Sequence, residues 1–174
     1  MHAWAPDGQA VRLAEHAPPK ADPEPKALAC YGLLVRHVPT QPEQMLLRFV
    51  ARRPVSAETT AFLAWCNARL AAQGLTAVLL LWDNASWHIS HEVRTWLRQH
   101  NRRVKQTGQG VRIVACRLPS KSPWLNPIEP KWVHGKRAIV EPGRLLSARE
   151  IRERVYTYYG CAEEAHHVIS EKAS

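Results

Sequence analysis

Apolar residues recur along this chain with two different periods. Ala77-Val78-Leu79-Leu80-Leu81-Trp82 is an unbroken apolar run of strand length, too short for a membrane helix. Such a run predicts a strand buried on both faces. Ala27 to Val35 and Gln44 to Val50 predict two further strands, and a turn around Arg36 to Gln41 makes them an antiparallel hairpin. Val111 to Cys116 predicts another strand, and Ala10 to Ala14 a short one. The helical period appears in Ala61, Phe62, Trp65, Cys66 and Leu70, within a helix over 57–73 that Ser56 caps and Gly74 stops. It appears again in Val93, Trp96 and Leu97, on a helix capped by Ser90 and running to about Arg103. The opposite stripe of that helix is Arg94, Arg98 and Arg102. Asn126-Pro127-Ile128-Glu129 reads as a helix start, with Asn126 as N-cap, and Gly135 as the stop. Ser147 and Glu150 form a capping box for a last helix through Tyr159, closed by Gly160. The prolines of 18–26, the glycines of 106–110 and the prolines of 118–125 mark loops. Strands interleaved with helices make the class mixed α/β.

This pattern places two carboxylates. Asp83 stands where the apolar strand leaves the sheet, and Glu129 stands in the first turn of a later helix. In open α/β sheets the carboxyl ends of strands are where sites are built. Two carboxylates that converge can bind Mg²⁺, which favours one or two of them plus substrate phosphates. Each residue also has an ordinary reading, Asp83 as a turn residue and Glu129 as a capping-box partner.

Length and composition fit a single domain of 174 residues, apolar enough for a real core. No long apolar segment and no basic-then-apolar N-terminus is present, so neither a membrane span nor a signal peptide is expected. The four cysteines are far apart, without a CxxC pair, and read as buried thiols in a reducing compartment. Charge adds more. Residues 84–140 carry eleven Lys or Arg against two Asp or Glu, whereas 1–83 carry eight against seven and 141–174 five against six. The basic excess therefore lies between the two carboxylates and just past the second, which points to a polyanion across that region. A solvated basic face is the alternative.

Leu80-Leu81-Trp82-Asp83-Asn84-Ala85-Ser86-Trp87-His88 and Leu118-Pro119-Ser120-Lys121-Ser122-Pro123-Trp124-Leu125-Asn126-Pro127-Ile128-Glu129-Pro130-Lys131-Trp132 together resemble bacterial insertion-sequence transposases of the mariner superfamily. Trp4 to Gln9 is similar to the segment after that family's first strand. The resemblance spans most of the chain, and Ser122 to Trp132 is its most specific piece. It implies a DDE endonuclease domain with a ribonuclease-H-like mixed sheet and flanking helices. It also implies cleavage of DNA at transposon ends and joining of the freed 3′ end to target DNA with Mg²⁺ or Mn²⁺, in the cytoplasm at the nucleoid. Three acidic residues hold two metals in the family. Asp83 matches the second of these and Glu129 the third. A metal pair about 3.5–4 Å apart activates the attacking oxygen and stabilises the leaving one.

Other residues take weaker roles. Asn84 either orients Asp83 or makes its own turn, and His88 either faces the site or sits on the surface. Lys121, Lys131, Lys136 and Arg137, with Arg94, Arg98 and Arg102, either meet DNA phosphate or are solvated. Trp124 and Trp132 read as packing residues. The sequence also departs from the family pattern. The family's first acidic residue lies on a strand before the Trp-Ala-Pro segment, and Met1 stands only three residues before Trp4. Asp7 lies in the following turn and cannot replace it. No helix-turn-helix region is visible. Asn101 to Gly110 reads as an insertion between Asp83 and Glu129. The expectation is one partial catalytic domain over 1–174 with its first strand missing, weak or inactive alone. It would be completed by an upstream-encoded chain or a homodimer, or survive as a DNA-binding remnant. A metal-dependent nuclease of the same fold is a further alternative.

Overall fold

The computed structural model describes residues 3–4, 10–11, 29–36, 42–50, 55–141, 143–144 and 146–165. Six strands and five helices follow in mixed order: β1 (Ala3–Trp4), β2 (Ala10–Val11), β3 (Ala29–Val35), β4 (Gln44–Val50), α1 (Ser56–Ala72), β5 (Ala77–Trp82), α2 (Ser86–Ile89), α3 (His91–Thr107), β6 (Arg112–Arg117), α4 (Glu129–Ile139) and α5 (Ala148–Tyr159). The class is mixed α/β, as the interleaved periods predict.

The strands do not join into one sheet among the described residues. They form three separate pairs, β1 with β2, β3 with β4, and β5 with β6. β3 and β4 are antiparallel, in register from Ala29 opposite Val50 to Val35 opposite Gln44. β5 and β6 are parallel, from Ala77 beside Arg112 to Trp82 beside Arg117. Helix α3 supplies the crossover that a parallel pair requires.

Helix α1 holds the two larger pairs together. Its Phe62, Cys66 and Leu70 pack on Tyr31, Val35, Leu46 and Val50 of the hairpin. Its Leu63 packs instead with Leu80, Trp82 and Ile113, and with Val93 and Leu97 of α3. The opposite face of β4 presents Leu47 and Phe49 to Tyr156 of α5, with Trp132 and Tyr159 alongside. Phe49 and Tyr156 meet edge to face, 5.5 Å between centroids.

Several sequence expectations need correction. β5 is not buried on both faces. Leu80 and Trp82 face the core, but Leu79 is 64% and Leu81 40% exposed, because no described element covers that side of the β5–β6 pair. Helix α4 begins at Glu129 rather than Pro127, with Ile128 rather than Asn126 at the N-cap position, and it runs through Gly135 to Ile139. Pro130 costs it nothing, since a first-turn residue has no hydrogen-bonded N–H to lose. Gly135 is where α4 meets α5. A Cβ there would run into the ring and hydroxyl of Tyr159, whose Oη donates to the Lys131 carbonyl at 2.8 Å.

Helix α3 extends to Thr107 and ends on Gly108 in the left-handed conformation, so the proposed insertion is partly helical. Val55 and not Ser56 is the N-cap residue of α1. β6 spans Arg112–Arg117, one residue later than predicted, and the 118–125 loop contains a helical turn at Pro123–Leu125. Cys66 is buried, Cys30 and Cys161 are half-buried, and Cys116 is exposed, against the expectation of four buried thiols. Residues 12–28, 37–41 and the remainder of the Trp4–Gln9 segment lie outside the described residues.

Candidate active site

Asp83 follows the last residue of β5, and Ala85 N–H donates to its Oδ1 at 2.9 Å. The turn then enters α2, which brings His88 back over the strand end. His88 Nδ1 lies 2.7 Å from the same Oδ1. The imidazole is clamped from two sides, stacked on Trp82 at 5.2 Å and edge-on to Trp87 at 5.9 Å. One oxygen of Asp83 is thus fully engaged and oriented. Its other oxygen, Oδ2, has no hydrogen-bond partner among the described residues.

Asn84 does not touch Asp83. Its Nδ2 donates to the Leu118 carbonyl at 2.7 Å. Leu118 N–H in turn donates to the Trp82 carbonyl at 2.9 Å, so the ends of β5 and β6 are fastened together. That fastening fixes where the 118–128 segment departs, and this segment delivers Glu129. Asn126 Oδ1 accepts from Ile128 N–H at 3.4 Å, and Glu129 N–H donates to the Asn126 carbonyl at 3.1 Å. The turn places the Glu129 carboxylate at the positive end of α4, an interaction of about 0.3–1 kcal/mol. Among the described residues that half-buried carboxylate has no ion-pair or hydrogen-bond partner.

Asp83, His88 and Glu129 line one cavity of about 900 Å³. The other candidates do not line it. Arg94, Arg98 and Arg102 share an exposed face of α3, opposite the side that packs on α1 and β6. Arg98 donates to Thr95 Oγ1 at 3.2 Å. Arg102 lines a second hollow of about 510 Å³ with Lys105 and Arg112. Lys121 is exposed, with a left-handed backbone at φ 58°. Lys136 and Arg137 are exposed on the last turn of α4. Lys131 is neutralised, its Nζ 2.7 Å from Glu43 Oε2, and Arg36 holds the other oxygen of Glu43 at 2.7 Å. Lys131, with Arg36 beside it, holds the Glu43 carboxyl below its usual range.

The unshared oxygens here, Oδ2 of Asp83 and both of Glu129, are hard donors of the kind divalent Mg²⁺ or Mn²⁺ prefers. The donor set therefore fits such an ion. It is incomplete for two: among the described residues no group of three or more His, Cys, Asp or Glu is arranged to hold a metal.

Sequence reasoning missed two features of this region. The Trp82–His88–Trp87 stack depends on the short helix α2, which four residues of sequence do not announce. The side-chain amides of Asn67 and Asn101, which bond the backbone N–H and C=O of Val111 and Ile113, had a visible signal, since each amide stands on or beside the apolar stripe of its helix.

No curated protein and no solved structure matches this chain. The family model of the DDE superfamily endonuclease matches residues 43–152, well over half the chain, and takes in the hairpin strand β4, both candidate carboxylates and every element between them. The chain therefore belongs to the DDE superfamily of endonucleases.

Proposed function

We propose that this chain carries the catalytic domain of a bacterial insertion-sequence transposase of the mariner superfamily, a ribonuclease-H-like domain that acts on nucleoid DNA. The observation that supports the reading is that Asp83 and Glu129, from a strand end and a helix start 46 positions apart, line the same cavity. A divalent cation held there would activate the attacking oxygen and stabilise the leaving oxygen of an in-line phosphoryl displacement. The chain's own part is to hold the donors ready. Ala85 N–H and His88 fix the Asp83 carboxylate, and the α4 N-terminus fixes that of Glu129. Arg94, Arg98, Arg102, Lys121, Lys136 and Arg137 supply phosphate contacts that position DNA without reading its sequence. Lys131 contributes less, because Glu43 already pairs it.

With two assigned carboxylates, Asp83 and Glu129, and no cluster of three or more potential metal ligands among the described residues, cleavage by this chain is expected to be weak. The second reading is a non-catalytic DNA-binding remnant, supported by there being no group of three or more His, Cys, Asp or Glu arranged to hold a metal among the described residues. Two measurements test this. Mn²⁺ binding followed by electron paramagnetic resonance is expected to weaken at least about tenfold in Asp83→Asn and in Glu129→Gln, as the loss of a ligand requires. Unchanged binding in both variants would remove the metal assignment. Plasmid nicking in Mg²⁺ is expected to be negligible. Vigorous Mg²⁺-dependent cleavage that disappears in Asp83→Asn would overturn the inactivity.

A further inference from the structure

Glu43 is held by two cations that come from two different elements. It stands just before β4. Its Oε1 lies 2.7 Å from Nε of Arg36, the residue after β3, and its Oε2 lies 2.7 Å from Nζ of Lys131 on α4. Each carboxylate oxygen thus has its own cation. Both cations belong to the candidate active site. Arg36 lines the cavity of Asp83 and Glu129, and Lys131 stands in the chain between Glu129 and Trp132, which both line it.

The bridge is not what joins the hairpin to α4. Apolar packing does that. Trp132 packs against the cluster of Leu47, Phe49 and Tyr156, and its ring lies so close to Gly32 that a Cβ there would collide with it. The three side chains of the bridge are between 36% and 51% exposed. Ion pairs in such contact with water contribute little to stability. A bridge that adds little to the fold can still decide which anion reaches its two cations.

A carboxylate with one cation on each oxygen has the form of a bound phosphate. A phosphodiester also presents two terminal oxygens on one atom, and guanidinium and ammonium groups take carboxylate and phosphate alike. We propose that Arg36 and Lys131 form a clamp for one backbone phosphate of DNA beside the active cavity, and that Glu43 occupies this clamp as an internal phosphate mimic that the DNA must displace. The proposal rests on the reading of DNA as the substrate and is independent of metal at Asp83 and Glu129. While Glu43 holds the clamp, a docking phosphate only exchanges one anion for another. In an open clamp the same phosphate would release its condensed counterions, which strengthens binding most at low salt. Glu43 therefore acts as an autoinhibitory latch on the phosphate contact next to Glu129.

The test is fluorescence anisotropy of a short duplex over a salt series, with the full chain and its variants. Glu43→Gln keeps the shape and removes the charge. It is expected to steepen log K against log salt by about 0.9, the contribution of one phosphate, so that its advantage grows about eightfold for each tenfold dilution of salt. Adding Lys131→Gln or Arg36→Gln to Glu43→Gln is expected to cancel that gain. Glu141 provides the control, because Arg144 and Arg154 hold it at 2.7 and 2.8 Å and none of the three lines the cavity. Glu141→Gln is expected to change the slope by less than about 0.3, a third of one phosphate. An unchanged slope in Glu43→Gln, while the unaltered chain still binds, overturns the latch and leaves the DNA reading standing. Equal steepening in Glu141→Gln also overturns it, since loss of any carboxylate would then suffice. Duplex bound by no form at low salt removes the DNA reading and the latch with it. Thermal melts expose a purely structural bridge: Glu43→Gln melting more than about 4 °C lower with an unsteepened slope overturns the latch.

Discussion

Asn67 and Asn101 show how much a single side chain can do at a sheet edge. Each carboxamide presents one donor and one acceptor, and each spans the N–H and C=O of one residue, Asn67 those of Val111 just before β6 and Asn101 those of Ile113 within it. His100 Nε2 lies 2.9 Å from the Val111 carbonyl as well. Replacing Asn101 by Leu keeps the bulk but leaves both Ile113 groups unpaired. The cost expected is about 1–3 kcal/mol, read from the urea midpoint. A change within about 0.3 kcal/mol would show that water replaces the amide. The thiols make a second residue-scale prediction. Burial pushes the Cys30 thiol up to about 12 and raises that of Cys66 further, while Cys116 is exposed. The thiolate is the nucleophile, so a disulfide reagent at neutral pH is expected to label Cys116 first and Cys66 only on unfolding. The linkage sign follows. Above the ordinary thiol value of 9.0 the unfolded chain releases protons that the folded chain keeps, so stability falls as pH rises from about 9 towards 12.

Helices α4 and α5 set the element scale. Alanine in a helix interior is ordinarily better than glycine by about 1 kcal/mol. At Gly135 the collision with the Tyr159 ring outweighs that gain. Gly135→Ala is expected to destabilise by about 1–3 kcal/mol, the cost of overpacking; a stabilised variant in thermal melts would show that α5 yields. At the start of α5, the Ser147 backbone N–H, then Arg144, holds the Glu150 carboxyl down to about 2 from an ordinary 4.5. That contribution is complete above about 4.5 and is lost as pH falls towards 2. Glu150→Gln should therefore flatten the loss of α5 amide protection over that window. This capping box was legible in sequence because all its partners lie within one turn. The hairpin and β5 were legible for the same reason, as runs of one period. The Gly135 misreading has the opposite cause. A glycine looks like a stop when its neighbour Tyr159, on another element, is out of view. The exposed face of β5 was likewise illegible, since an apolar run records what a strand can bury and not which cover is present. The places of Asp83 at a strand end and Glu129 in a first helical turn were legible, whereas the Asn84–Leu118 bond that fastens the segment leading to Glu129 is encoded by no periodicity.

At the scale of the whole molecule, the basic excess and the ion pairs separate two kinds of cation. The +9 of the 84–140 segment is carried partly by Arg94, Arg98 and Arg102 on the outward face of α3, where no carboxylate pairs them among the described residues. Lys131 belongs to the same segment but is bound by Glu43. Each phosphate neutralised by a free cation steepens the salt dependence of binding by about 0.9 in log K against log salt. A cation that must first leave a carboxylate contributes little. Removing all three arginines as Gln is therefore expected to flatten the slope for a short duplex by about 2.7, uniformly across sequences. Lys131→Gln should change it by less than about 0.5. Fluorescence anisotropy over a salt series measures both. If the triple variant keeps the full slope, α3 does not face DNA, and the cations past Glu129, Lys136 and Arg137, must carry the contact instead.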